Sequence, residues 1–374
     1  MRLRLLYLII LVAAVTGCNK KNNTSDLAMS DVLHLQYAKG FRVQKTDGYT
    51  LITIRNPWDT AAILNSYVLV DKQRELPANL PKGNIIRTPV SSVVATSALH
   101  CSILDELKSV NLITGVCEPQ YIKTPYITEG VASGKIADLG IANSPDPEGI
   151  IMLNPDAVFS DPMVGKNQAS LEKAKVPLVM TTDYTEPHPL GRAEWIRFYA
   201  LFVGQETLAD SLFTITAKKY NEVKNKVKEA DKRPTVFTDI RYQGNWHLPG
   251  GQSNTATLLN DAGAAYIWAD DESTVFITLT FETVLDKAGD ADKWLIRYYD
   301  NKEMSYASLM SEYKPYSYFK AFKDKEIYTC NTLYSPYYDD LPIHPDYVLQ
   351  DLAYVFHPEL FPDYKARYYK KMEK

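Results

Sequence analysis

The sequence predicts an α/β protein: two Rossmann-like α/β lobes joined by one long helix, with an N-terminal β-rich extension. Three observations predict this fold class. Short apolar runs alternate with helical patterns over 84–204, the alternation resumes over 233–374, and one amphipathic run fills 205–232 between them. Strands that alternate with helices favour a parallel sheet covered by helices on both faces. A chain of 374 residues has room for two such domains.

The first residues are typical of an export signal. Two arginines precede an apolar run over 5–15, which is too short to span a bilayer because a spanning helix needs about 20 residues. Val15-Thr16-Gly17-Cys18 resembles a bacterial lipobox, the signal that is cut before a cysteine that becomes lipid-modified. A plain signal peptide, with Cys18 incidental, is the alternative. We expect a lipoprotein signal over 1–17, lipid on Cys18 and a polar tether over 18–27.

The pattern over 28–80 predicts the β-rich extension. Apolar runs around Val43 and Ile52 are separated by Lys39-Gly40 and Asp47-Gly48, which are turn signals typical of hairpins. Prolines and a glycine over 77–83 interrupt the pattern, and the first α/β lobe is predicted from 84 onward.

The connecting helix is predicted over 205–232. Leu208, Leu212 and Ile215 begin an apolar face, and Arg233-Pro234 end the run. The helical stretch over 207–230 would be about 36 Å long, which is enough to span a domain. The second lobe follows over 233–374.

Composition and motif spacing exclude several functional classes. The net charge of −4 provides no basic excess, so no nucleic-acid partner is expected. There is no G-x-S-x-G elbow, phosphate-binding loop or H-x-x-x-H spacing, so neither an enzyme nor a metal site of its own is expected. An exported enzyme of unknown reaction and a surface interaction lipoprotein remain the alternatives from other classes.

Three cysteines remain after Cys18: Cys101, Cys117 and Cys330. An exported protein can form a disulfide, but three thiols allow at most one bridge, and their spacing is not of the zinc-binding type. We favour buried, unpaired thiols and leave a disulfide open.

A local signature occurs in both lobes, where a glutamate opens a short helix that leads toward a strand. It reads PEGIIMLNPDAVF over 147–159 and TFETVL over 280–285. Together with PLGRAEW over 189–195 and the segment 346–361, it resembles the periplasmic binding proteins for iron complexes and vitamin B12. These are the class III, helical-backbone substrate-binding components of ABC importers. The resemblance covers about 84–362 and implies rigid lobes with small opening motions.

The resemblance also implies a docking role for two residues. Glu148 and Glu282 match the glutamates with which this family docks onto arginines of its membrane permease. Such charges mainly steer encounter and fix orientation. The alternative is a glutamate that stabilises a helix N-terminus by about 0.3–1 kcal/mol.

Ligands of α/β lobes contact the loops at the carboxyl ends of the strands. In this chain these loops are rich in Tyr, Trp and Arg, residues that dominate binding surfaces and suit a large, flat, partly anionic ligand. The candidate ligand-binding residues are Thr96, Met163, Tyr184, Arg241, Tyr242, Trp246, His247, Arg297, Tyr298, Tyr334 and Tyr337.

Several of these candidates also have a structural alternative. Trp246 can pack inward, and His247 can form a hydrogen bond instead of binding the metal of a complex. Arg241 and Arg297 can form internal salt bridges, and the tyrosines can serve surface packing.

The expected protein is an exported, lipid-anchored bacterial lipoprotein, monomeric and without a cofactor of its own. It would bind a chelated metal between its lobes and deliver it to an ABC permease. A ferric siderophore is favoured, since Arg241 and Arg297 both fall in cleft loops and such chelates are often anionic. Haem and cobalamin remain alternatives.

Overall fold

The structure, a computed structural model, describes residues 31–59, 61–162 and 168–373. The leader, the lipidation site at Cys18, the tether and Met163 lie outside these residues. The α/β fold class is confirmed, since parallel sheets with flanking helices form two lobes on either side of a long helix. No helix in the described ranges combines the length and the apolar character needed to cross a membrane.

An N-terminal sheet precedes the two lobes. Its strands β1 to β4 are antiparallel neighbours in chain order, and β5 adds parallel to β4. The stretch over 84–88 therefore belongs to this sheet and not to the first lobe, which corrects the predicted boundary at 84. The prolines before it lie in the crossover that brings β5 beside β4. The strands are β1 (Asp31–Val32), β2 (Phe41–Lys45), β3 (Thr50–Arg55), β4 (Ile63–Asp71) and β5 (Asn84–Thr88).

One face of this sheet packs on the first lobe. Phe41 contacts Trp195 with a distance of 4.8 Å between ring centroids, and Tyr67 contacts Phe198 at 6.4 Å. Successive strand residues point to opposite faces, so Arg42, the neighbour of Phe41, is exposed on the other side. The sheet thus has an apolar inner face and a polar outer face.

Two buried carboxylates hold the loop that precedes β2. The backbone N–H groups of residues 36–38 donate to Glu194, and those of residues 39 and 40 donate to Glu186. Trp195 Nε1 also donates to Glu186, and Arg197 pairs with Glu194 at 2.7 Å. Five consecutive backbone donors of the extension are therefore satisfied by side chains of the first lobe.

The first lobe contains a parallel sheet in the order β12-β11-β6-β7-β8. The short strands β9 and β10 pair with each other before α3. Its elements are β6 (Val93–Ala95), α1 (Ala98–Glu106), β7 (Ile113–Val116), α2 (Pro125–Ala132), β8 (Ala137–Asp138), β9 (Gly140–Ile141), β10 (Ser144–Pro145), α3 (Pro147–Leu153), β11 (Ala157–Ser160), α4 (Gln168–Lys173), β12 (Leu178–Met180), α5 (Pro189–Glu194) and α6 (Ile196–Val203).

A long helix, α7 (Glu206–Lys226), connects the lobes. It follows α6 through Gly204, whose φ of 72° is in the left-handed region that glycine tolerates at a helix end. The helix is shorter than the predicted run over 207–230, because a 3₁₀ turn replaces the α-helical geometry over 227–229.

The second lobe repeats the architecture with the order β16-β13-β18-β19-β20, in which β20 is antiparallel. Its elements are β13 (Thr235–Thr238), β14 (Arg241–Tyr242), β15 (Asn245–Pro249), α8 (Asn254–Asp261), β16 (Ala265–Tyr266), β17 (Phe276–Leu279), α9 (Phe281–Ala288), β18 (Lys293–Tyr298), α10 (Tyr306–Glu312), α11 (Lys320–Lys323), β19 (Ile327–Asn331), α12 (Tyr337–Asp340), α13 (Pro345–Phe356) and β20 (Lys370–Lys371).

A small antiparallel sheet, β14-β15-β17, replaces the loop that the sequence predicted around 241–251. Gln243 and Gly244 connect β14 to β15 with φ values of 49° and 88°. Positive φ at both central residues is the geometry of a tight two-residue hairpin turn. The predicted loop is therefore a hairpin whose side chains alternate between an inner and an outer face.

Candidate ligand-binding cleft

A cavity of about 580 Å³ lies between the two lobes. The first lobe contributes the start of α1 and the loop after β7, and the second contributes the ends of β18 and β19 and part of α12. These are carboxyl ends of parallel strands, where α/β folds bind ligands. The lining residues are Ala98, Leu99, Gln120, Tyr121, Lys123, Arg297, Tyr298, Tyr299, Thr332, Leu333, Ser335, Tyr338 and Asp339.

Lys123 bridges the two walls of the cavity. Its ammonium group donates to the carbonyl oxygens of Thr332 at 3.2 Å and Ser335 at 2.9 Å, both in the second lobe. Burial raises the pKa of the nearby Asp339 carboxyl, and the positive charge of Lys123 opposes that rise. Lys123 therefore both connects the lobes and supplies positive charge to the cavity.

Arg297 lines the cavity, and its charge is matched internally. Its guanidinium donates Nε to Asp239 at 3.1 Å and Nη2 at 2.8 Å, and it lies 5.9 Å from the centre of the Tyr337 ring. A bidentate pair of this kind fixes the plane of the guanidinium. The internal salt bridge, which was the alternative for Arg297, is therefore present in the structure. Because its charge is paired with Asp239, Arg297 presents a fixed polar group to the cavity and not an unpaired cation.

Tyrosine side chains supply most of the aromatic surface. The hydroxyl of Tyr298 donates to Glu303 at 2.7 Å, so that phenol already has a partner. Tyr121, Tyr299 and Tyr338 are between 55% and 61% exposed and present their rings at the cavity. A tyrosine combines an apolar face with a polar tip, which suits contact with a large chelate.

Two of the predicted ligand residues, Arg297 and Tyr298, line the cavity. Thr96 and Tyr337 are 2% exposed and lie below its surface, with Tyr337 packed between Tyr338 and Tyr369. Their burial removes them from direct contact with a ligand.

The assignment of Trp246 to the ligand site is wrong. Its side chain is fully buried, and its indole N–H donates to the Thr238 carbonyl at 2.9 Å. Its strand β15 turns this residue inward, where it joins an aromatic cluster of Phe237, Trp294, Tyr316 and Phe319. The inward-packing alternative is the one that the structure contains.

The remaining predicted residues do not line the cavity. The Arg241 guanidinium lies 4.1 Å from the centre of the Tyr313 ring, and His247 Nδ1 is 3.1 Å from Thr278 Oγ1. Of the two arginines that were expected to face an anionic ligand, Arg297 lines the cavity and Arg241 does not. Tyr184, Tyr242 and Tyr334 are exposed, but they are also not among the residues that line the cavity.

Four lining residues are not among the predicted ligand residues: Tyr121, Lys123, Tyr299 and Tyr338. Tyr121 and Lys123 lie in the loop after β7, and no predicted ligand residue comes from this loop. Tyr299 and Tyr338 are direct neighbours of residues that were named. The position after a parallel strand is the signal that could have identified Tyr121 and Lys123, whereas Tyr299 and Tyr338 stand in loops that the sequence already assigned to the cleft.

The described residues contain neither a disulfide nor a cluster of metal ligands. Cys101, Cys117 and Cys330 are buried free thiols, which answers the disulfide question, and burial raises the pKa of Cys101 to about 12. Within the ranges that the structure covers, no three His, Cys, Asp or Glu side chains converge as a metal site.

Glu148 and Glu282 occupy equivalent local positions in the two lobes. Each is the second residue of its helix, α3 or α9, and each is exposed. An extended N-cap residue precedes each helix: Asp146 accepts a backbone N–H at 3.0 Å, and Thr280 accepts one at 3.3 Å. The two carboxylates are thus presented to solvent at matching helix starts.

Comparison with known proteins agrees with this architecture. The family model for periplasmic binding proteins matches residues 93–332. Two uncharacterized lipoproteins of Methanocaldococcus jannaschii are each 26% identical, one over 77% of this chain and 70% of its own length, the other over 91% and 87%.

Solved structures share the fold at low sequence identity. The molybdate-binding protein MolA of Haemophilus influenzae has a TM-score of 0.59 at 18% identity over 75% of this chain and 90% of its own. The TroA-like protein FepB of Veillonella parvula gives 0.57 at 18%, over 77% and 96%. The heme-binding protein RhuT of Roseiflexus gives 0.53 at 19%, over 70% and 99%. The family resemblance found in the sequence is confirmed, and the chain belongs to the periplasmic binding protein family.

Proposed function

We propose that this protein is the lipid-anchored substrate-binding component of an ABC importer, which captures a chelated metal and delivers it to a membrane permease. The observation that carries the proposal is the cavity between the lobes, lined by strand ends of both. A ligand held there contacts both lobes at once. A permease that contacts both lobes can then distinguish the ligand-bound protein from the ligand-free one.

The cargo that fits best is a ferric siderophore. A cavity of about 580 Å³ is within the range of small-molecule sites, roughly 300–1,000 Å³. Exposed tyrosine rings offer stacking surfaces, and Lys123 offers a cation for an anionic chelate. A protein site for a free metal ion would need several converging ligands, and no such cluster occurs among the described residues. The proposed metal therefore arrives already chelated.

Haem is the second candidate, because Tyr121, Tyr299 and Tyr338 bring exposed phenols to the cavity and tyrosine can serve as an axial haem ligand. A structural neighbour, RhuT, is described as heme-binding. Cobalamin is the third candidate, through the same aromatic surface.

Isothermal titration calorimetry tests the cargo. The unlipidated chain from residue 19 onward would be titrated with ferric siderophores, haemin, cyanocobalamin and free ferric salt. Calorimetry is preferred over tryptophan emission because no described lining residue is a tryptophan. We expect one chelate to bind saturably at one site per chain.

Matched tyrosine variants locate the binding. We expect Tyr299→Ala and Tyr338→Ala each to weaken binding at least roughly tenfold, since loss of an aromatic anchor at a binding hot spot costs about 2 kcal/mol or more. Tyr334→Ala removes an equally exposed tyrosine outside the cavity and should leave the affinity unchanged. Binding of no chelate would contradict the proposed cargo. Equal loss of affinity in all three variants would contradict the cleft as the binding site.

The remaining parts of the proposal concern attachment and delivery. Lipid on Cys18 keeps the protein at the membrane surface, and Glu148 and Glu282 contact arginines of the permease. The protein acts as a monomer and catalyses no reaction, because the ATPase of the importer supplies the energy of transport.

A further inference from the structure

A second cavity, of about 610 Å³, lies on the N-terminal sheet. It is formed by β1 to β3, the loop before β2 and the start of β4. None of its lining residues is shared with the cleft between the lobes. The cargo-binding proposal therefore does not account for it.

The charged side chains that line this cavity are basic. Lys39, Arg42 and Arg55 contribute permanent cations, His34 lies beside them, and no carboxylate is among the lining residues. All four side chains are exposed, and none forms a hydrogen bond or ion pair with another described residue. The outer face of the sheet thus concentrates unpaired positive charge in a protein whose net charge is −4.

Strand geometry explains why the cations share a face. Arg42 on β2 lies opposite Thr53 on β3, and Arg55 follows Thr53 by two residues. Residues two apart on a strand point to the same side, so Arg42 and Arg55 are diagonal neighbours on the outer face. The opposite face packs on the first lobe, which leaves only the outer face for a partner.

Two exposed apolar side chains accompany the basic residues: Ile63 pairs with Arg55 across the sheet, and Trp58 follows Arg55 by three residues in the chain. The loop between β3 and β4 presents Trp58, which is 61% exposed, and Ile63 at its end is 63% exposed. The side chain of Asn56 accepts the backbone N–H groups of Trp58 at 2.9 Å and Asp59 at 3.2 Å, which shapes the loop tip. Asp59 is the acidic residue of this loop. An exposed indole beside basic residues is typical of surfaces that rest at the lipid–water boundary.

We propose that this outer face, with Arg42, Arg55 and Ile63, binds the surface of an anionic lipid bilayer together with the adjoining loops that carry Lys39 and Trp58. The cations would contact lipid phosphates, and the indole would enter the interface. Asp31, at the start of the sheet, lies 13 residues after Cys18. An extended tether of that length reaches at most about 45 Å, so a lipid on Cys18 would keep this face near the membrane. The contact orients the protein and is independent of cargo.

The test is vesicle binding by the unlipidated chain from residue 19 onward. The vesicles contain equal parts phosphatidylglycerol and phosphatidylcholine, or phosphatidylcholine alone. We expect binding to the anionic vesicles that weakens with added salt, and much weaker binding to the neutral ones. Equal affinity for both vesicle types would overturn the proposal. Calorimetric binding of inorganic phosphate without vesicle binding would also overturn it, since it would identify a site for soluble anions.

A charge-matched pair of variants locates the contact. Since each basic residue near an anionic surface strengthens binding about fivefold, Arg42→Gln with Arg55→Gln should weaken it about 30-fold. Lys302→Gln with Lys314→Gln removes the same charge from exposed positions on the second lobe and should have no effect. An equal loss in both pairs would show a non-specific charge effect and overturn the assignment.

Tryptophan emission gives a local readout. Trp58 is exposed, whereas Trp195, Trp246, Trp268 and Trp294 are at most 4% exposed. Brominated acyl chains should therefore quench Trp58 alone, and Trp58→Phe should abolish the quenching. Unquenched emission in vesicle-bound protein would contradict insertion of the indole. Titration of the Arg42/Arg55 variant with the chelates separates the two proposals, because this variant should bind chelate normally. If no chelate binds to the protein, the vesicle result still stands by itself.

Discussion

His100 is enclosed in the first lobe, where it is 1% exposed. Its Nε2 lies 3.4 Å from Thr181 Oγ1, and its Nδ1 has no hydrogen-bond partner among the described residues. Burial lowers the pKa of His100 to about 3. The ring therefore remains neutral in the folded protein at pH values where the unfolded chain binds a proton.

The burial of His100 predicts that the free energy of unfolding depends on pH in the acidic range. Stability from the neutral ring is complete above the unfolded pKa of about 6.5 and is lost as the pH falls toward the folded value. At pH 5, His100 should lower the free energy of unfolding by about 2 kcal/mol relative to pH 7. Urea unfolding at both pH values measures this difference. His100→Gln, which cannot be protonated, should remove that part of the loss, and an unchanged pH dependence would contradict the assignment.

At the scale of elements, the attachment of the N-terminal sheet depends on Glu194. This buried carboxylate accepts three backbone N–H groups from residues 36–38 and pairs with Arg197. Glu194→Gln would weaken these charge-assisted bonds and leave Arg197 with Asp210, at 2.8 Å, as its acidic partner among the described residues. We expect a loss of about 3 kcal/mol in the free energy of unfolding.

Hydrogen exchange gives the element-specific readout for this variant. Amide protection at 36–38 should fall first, before that of the lobe sheets. Glu222→Gln, an exposed residue with only a weak helix pair to Lys218 at 3.9 Å, is the control and should change neither quantity. Unchanged protection at 36–38 in the Glu194 variant would show that apolar packing alone holds the sheet.

The starts of α3 and α9 carry the docking prediction. Glu148→Ala with Glu282→Ala should leave chelate binding intact and reduce uptake in cells by at least roughly tenfold, since both oriented charges are lost. Glu129→Ala with Asp286→Ala removes the same charge from other exposed helix positions of the two lobes and should transport normally. Normal uptake by the first pair would exclude the docking role.

At the scale of the whole molecule, the described residues join the lobes through polar contacts at the cavity wall, at His344, and at α8, where the Thr257 hydroxyl donates to the Pro187 carbonyl at 3.2 Å. Lys123 donates to two carbonyls of the second lobe, and His344 Nε2 lies 3.3 Å from Glu106 Oε1. Behind them, α13 of the second lobe packs along α7. The long helix and its packing against α13 hold the lobes together, whereas the two Lys123 hydrogen bonds lie at the cavity, where a ligand can replace them.

Lys123→Met tests this coupling. The variant loses a cation in the cavity and both cross-lobe hydrogen bonds, and we expect it to bind an anionic chelate about tenfold more weakly, since a charged hydrogen bond contributes roughly 1.5–3 kcal/mol. Lys135→Met, on the same lobe outside the cavity, should bind normally. Calorimetry measures both affinities, and an unchanged value for the Lys123 variant would contradict its role in binding.

Local sequence signals predicted much of the fold. Apolar periodicity indicated the connecting helix, and the alternation of strands with helices indicated the two lobes. The hairpin at Gln243-Gly244 was missed, because the glycine-rich stretch around it was read as a loop. Periodicity and turn residues act between near neighbours in the chain, so they can be read without the tertiary structure.

The sequence by itself determined the fold class and the family resemblance, since both depend on short motifs and their order. Only the tertiary structure decided which side chains line the cleft. It buried Trp246, matched Arg297 with Asp239, and brought Lys123 to Thr332, which is 209 residues away in the chain. Strand register and lobe packing set the direction of each side chain, and these depend on contacts between segments that are distant in sequence.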